Sequence, residues 1–147
     1  MKMFALAGFL AAAVVMSVPA QVKTVPAPVI SWYNDAMGMF AALLKDLDQA
    51  KAAAPVAAAF DKATATAKAK NLATRYAQLE KQYPDFFKDQ DGSTWVPPAD
   101  WLKISESWGR TLQNYGQSMQ KAMSYADDPA VAQSLENFSE VMGEIGG

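Results

Sequence analysis

The chain contains no cysteine and no histidine. The first absence excludes disulfides, thiolate nucleophiles and zinc sites built on sulfur; the second removes the commonest general base and the usual metal-binding imidazole. Haem attachment through cysteine and the Glu-x-x-His pairs of di-iron bundles go with them. What remains points to a protein that is not an enzyme and needs no cofactor or metal. Carboxylate pairs survive, Asp46 with Asp48 and Glu136 with Glu140, but on helices such pairs read as surface charge. The run at 89–93 (Asp-Gln-Asp-Gly-Ser) resembles part of a calcium loop, yet placing Gly92 sixth puts Phe87 first and Pro98 twelfth, where carboxylates are required. A turn is the better reading of that run.

Positive charge is also scarce. The chain carries 13 basic and 15 acidic residues, so no cationic excess favours nucleic acid or anionic lipid. The charges are unevenly spread: Lys62, Lys68, Lys70, Arg75 and Lys81 make one stretch basic, whereas Asp127, Asp128, Glu136, Glu140 and Glu144 all follow Lys121, the last basic residue. Two solvated helix faces that attract each other are expected.

Long apolar runs are lacking except at the start. After Lys2, residues 4–18 are uncharged and apolar, the length of a secretory signal core and shorter than the roughly 20 residues that span a bilayer. Val18, Pro19 and Ala20 then predict cleavage between Ala20 and Gln21, an uncleaved anchor being the alternative. Residues 1–20 are therefore expected to be a signal peptide, and the protein periplasmic or secreted. With no cysteine to carry a lipid, no stable membrane anchor should survive cleavage.

The remainder is of single-domain length. Residues 21–30, with Pro26 and Pro28, read as an extended leader, and residues 31–147 as one helical domain. Ser31 is the expected cap of a first helix whose apolar face runs through Tyr33, Met37, Phe40, Leu44, Leu47 and Ala54. Pro55 either restarts the helix in a new first turn, the preferred reading, or kinks it. Val56, Phe60, Ala63 and Ala67 form the next stripe, which slips around residues 68–71 before Leu72, Tyr76, Leu79 and Tyr83 resume it. Residues 84–99 hold Pro84, Gly92, Pro97 and Pro98 and read as one long loop. Asp100 is the expected cap of a helix through Trp101, Ile104, Trp108, Leu112, Tyr115, Met119 and Ala122, in which Gly109 and Gly116 suit close helix approach. Asp128-Pro129 announces a last helix with Val131, Leu135, Phe138, Met142 and Ile145 on its stripe. The fold class is all-α, a bundle of three or four helices.

The methionines (Met37, Met39, Met119, Met123, Met142) and the aromatics of the Trp101–Trp108 helix read as core filling before any metal or ligand role. Phe86, Phe87 and Trp95 are different. They stand in a loop of polar and turn-forming residues, so they either close one end of the bundle or contact a partner, and they are the candidate partner-contact residues.

At residues 79–87 (LEKQYPDFF), followed by Trp101, Trp108 and the Thr111-Leu112 pair, the chain resembles the TrbJ-type conjugal-transfer proteins, exported helical components of type IV secretion systems. The resemblance covers residues 72–125; the glutamine-rich helix usual in that family beyond the region of 139–147 has no counterpart here. It implies an assembly role with protein partners and no catalysis. The expected function is thus a non-catalytic extracytoplasmic interaction protein whose partners are proteins, further copies of itself among them. A periplasmic chaperone using an exposed apolar stripe, or a small-ligand carrier with a cavity beside the Trp101–Trp108 helix, are the alternatives.

Overall fold

The computed structural model describes residues 21–22, 24–88 and 95–145. The expected signal peptide, its cleavage point at Ala20 and the turn at 89–93 lie outside them. Among the described residues the fold is an all-α bundle: α1 (Ala27–Gln49), α2 (Ala53–Ala69), α3 (Leu72–Gln82), α4 (Pro84–Lys88), α5 (Ala99–Met123) and α6 (Pro129–Gly143). A two-residue parallel bridge joins β1 (Gln21–Val22) to β2 (Trp95–Val96), Gln21 opposite Trp95. Among the described residues the bundle has six helical segments, because the Val56–Tyr83 segment breaks in two and the expected loop holds the short α4.

The first helix begins four residues earlier than Ser31. Pro26 is its extended N-cap and Pro28 falls in its first turn, where an amide has no intrahelical acceptor to lose, so the prolines that suggested a leader start a helix. The Pro26 carbonyl accepts from the amides of Val29 and Ile30 at 3.0 and 3.2 Å. The extended stretch therefore ends at Pro26. The buried arc of α1 is also rotated from the expected stripe, running through Val29, Trp32, Ala36, Met39, Phe40, Leu43 and Leu47. Tyr33, Met37 and Leu44 are half-buried on its edge. The cause is that α1 packs against α2, α3 and α5 at once, which demands a broader apolar arc than a single stripe.

The Pro55 restart is present, with α1 ending at Gln49 and Pro55 in the first turn of α2. At the end of α1, Lys121 of α5 donates from Nζ to the carbonyls of Leu47 and Asp48 at 2.9 and 2.8 Å, a lysine cap supplied by another helix. The slip at 68–71 is a real break: Asn71 takes a left-handed conformation (φ 50°, ψ 42°), tolerable for asparagine, and turns the chain into α3. Val56, Phe60, Ala63 and Ala67 before it, and Leu72 and Leu79 after it, are all buried. Asp100 does not cap α5, whose N-cap is the extended Pro98; it sits in the first turn, where its charge suits the helix dipole. Asp128 does cap α6, accepting from the Ala130 amide at 2.9 Å. Thr66 and Thr111 donate to the carbonyl four residues back, but the buried Thr64 hydroxyl has no partner and costs about 1–3 kcal/mol.

Pairs α1–α5 and α2–α6 flank the central α1–α2 contact. Aromatic rings join them. Phe60 of α2 lies 5.6 Å from Phe138 of α6, which meets Phe40 and Tyr115 at 6.2 Å; Phe40 then meets Trp108 at 5.7 Å. Trp108 packs on Tyr33 at 5.5 Å and Trp32 at 6.2 Å, and Tyr33 on Trp101 at 5.0 Å. Separations of this size between edge-to-face or tilted rings contribute about 0.5–1.5 kcal/mol each beyond burial. Trp32 adds a long-range buried hydrogen bond to the ladder, Nε1–H donating to the Leu72 carbonyl at 2.8 Å.

The basic stretch finds its partners on α1. Lys70 and Arg75 both reach Asp35 at 2.7 Å, and Lys62 reaches Asp46 at 2.7 Å, so these charges clamp α1 to α2 and α3 and do not pair with the acidic end of the chain as expected. Ser31, no longer a cap, accepts from Arg75 at 3.4 Å. The hydrogen bonds from Lys70 and then Arg75 hold the Asp35 carboxyl below its ordinary 3.8. A carboxylate with a lowered folded pKa contributes stability at neutral pH that is lost as pH falls below 3.8 through the folded value. Asp35→Asn should therefore destabilise the protein by about 1 kcal/mol at pH 7, as suits a partly exposed network. In urea titrations the difference from wild type should vanish in strong acid; a difference that persists there assigns the loss to packing.

Candidate interaction surface

Phe86 and Phe87 belong to the ladder. In α4 their amides donate to the Tyr83 carbonyl at 3.0 and 3.4 Å, which turns both rings toward the bundle end. Phe86 sits edge-on to Trp101 at 5.1 Å and to Phe87 at 5.2 Å, and Phe87 meets Tyr76 at 5.5 Å. Both are half-buried against the core, the geometry of the first sequence reading, closure of one end. The Trp95 backbone pairs with Gln21 in the β1–β2 bridge, and its side chain lies outside the described residues.

The exposed apolar surface lies on α5. Leu102, Leu112 and Met123 are 52%, 43% and 57% exposed, and Val96 just before the helix is 48% exposed. Leu112 was expected on the buried stripe, but the inner face of α5 is carried by Trp101 and Ala122, with Ile104, Trp108, Tyr115 and Met119 half-buried. The three-four rule included Leu112 because 108 and 112 are four apart; Leu112 falls at the edge of the arc that α1 covers. Gly109 and Gly116 do not mediate close approach within the chain, since a Cβ built on either meets nothing within 4 Å. Spacing alone could have found this outer face: Leu102, Gly109, Gly116 and Met123 recur every seven residues.

Two open grooves lie away from α5. One, about 270 Å³, runs between α2, α3 and α6 beside Lys68, Asn71, Glu140 and Glu144; the other, about 290 Å³, lies between α1 and α2 beside Asp46, Pro55 and Lys62. Of the titrating groups, Tyr76 is pushed up by burial and then by Glu80 and Tyr33, and Tyr115 by burial. These are shifts of packed phenols in the ladder, with ordinary structural causes. The methionines divide between roles: Met39 is buried, Met37, Met119 and Met142 are half-buried, and Met123 faces out.

Among the described residues no helix is long and apolar enough to cross a membrane, and no three carboxylates gather as a metal-binding group. Comparison with protein-family models, curated proteins and solved structures finds no match. Function therefore rests on the site's own geometry.

Phe87→Ser tests the assignment of the loop aromatics. Full removal of a core Phe costs about 3–5 kcal/mol, so a half-buried ring should cost about 2, or a fall of roughly 8 °C in melting temperature for a domain of this size. Differential scanning calorimetry reads the shift. An unchanged melting temperature would return Phe87 to the partner-contact reading.

Proposed function

We propose that this chain is a non-catalytic, exported protein that works by binding other proteins, with a component of a conjugal-transfer or type IV secretion assembly as its most specific form. The observation that carries the reading is the exposed outer face of α5. A core that buries residues from all the long helices leaves Leu102, Leu112 and Met123 outside on one helix. Isolated exposed apolar residues are ordinary, but a row of them along one helix face is a feature of protein-contact surfaces. The missing histidine and cysteine, and the ordinary structural causes of the displaced pKa values, support a role without catalysis. Lys2, the apolar run of residues 4–18 and the Ala20 site support export, and the LEKQYPDFF segment supports the secretion-assembly form.

The same exposed face favours a second reading, a periplasmic chaperone that holds clients transiently. The two differ in selectivity: an assembly component binds one kind of partner, whereas a chaperone suppresses aggregation of unrelated unfolded proteins.

Fractionation of the native host with mass spectrometry of the protein should find it outside the cytoplasm with Gln21 as its first residue, and deleting its gene should abolish conjugative plasmid transfer. An intact Met1 terminus would remove the export reading. Undiminished transfer would remove the conjugal one, and suppression of the aggregation of unrelated substrates would install the chaperone.

A further inference from the structure

We draw no further inference here: the strongest candidate, the exposed apolar row of Leu102, Leu112 and Met123 on the outer face of α5, is an unpartnered helix face, and nothing in the structure shows what covers it.

Discussion

The indole N–H of Trp32 has one buried acceptor, the Leu72 carbonyl 40 residues away, and the arrangement of the bundle follows from that bond. A buried tryptophan must satisfy its single donor. Leu72 is the first residue of α3, immediately after the left-handed Asn71, so the bond fixes the break between α2 and α3 against α1 at the point where the chain direction changes. The Asp35 carboxylate, one turn along α1 from Trp32, holds Lys70 and Arg75 on either side of the same break. Polar and apolar contacts therefore converge on one corner.

From that corner the ring ladder runs both ways, through Tyr76, Phe87 and Phe86 to Trp101, and through Trp108 and Phe40 to Phe138 and Phe60. Each of the six helices contributes at least one ring. A chain with no cysteine has no covalent staple, and large, stiff side chains give the most burial per residue immobilised. The interior faces of α1, α2 and α6 are spent on this core, while α5 buries a narrow arc against α1 and leaves its outer row uncovered. That division between a committed interior and an unspent helix face is what makes α5 the candidate for contact with another protein.

Much of the fold was legible in the sequence. Asp128-Pro129 marked the start of α6 because its signals are local, a side-chain acceptor and a ring that fits the first turn. Pro55 marked a restart for the same reason, and the slip in apolar spacing at 68–71 marked the break at Asn71. The start of α1 was missed because Pro26 and Pro28 disfavour helix in their neighbours yet suit a first turn, and local rules cannot choose between the two. Its buried arc was misplaced by about one residue because contact with three helices at once is a tertiary fact. The exposed apolar residues of α5 were not singled out. Phe86 and Phe87 drew notice as aromatics in a polar loop, but α4 folds them onto Trp101 and Tyr76, whereas the seven-residue recurrence of Leu102, Gly109, Gly116 and Met123 was hidden behind the stronger three-four pattern of the tryptophans on the same helix.

Hydrogen exchange at the Trp32 indole tests the organising role of this residue most directly. Its Nε1–H signal, assigned by Trp32→Phe, should be the slowest of the indole protons to exchange, with an opening free energy equal to that of global unfolding measured in denaturant. Exchange of the Trp32 proton at the rate of a solvent-exposed indole, while the rest of the core stays protected, would contradict the account.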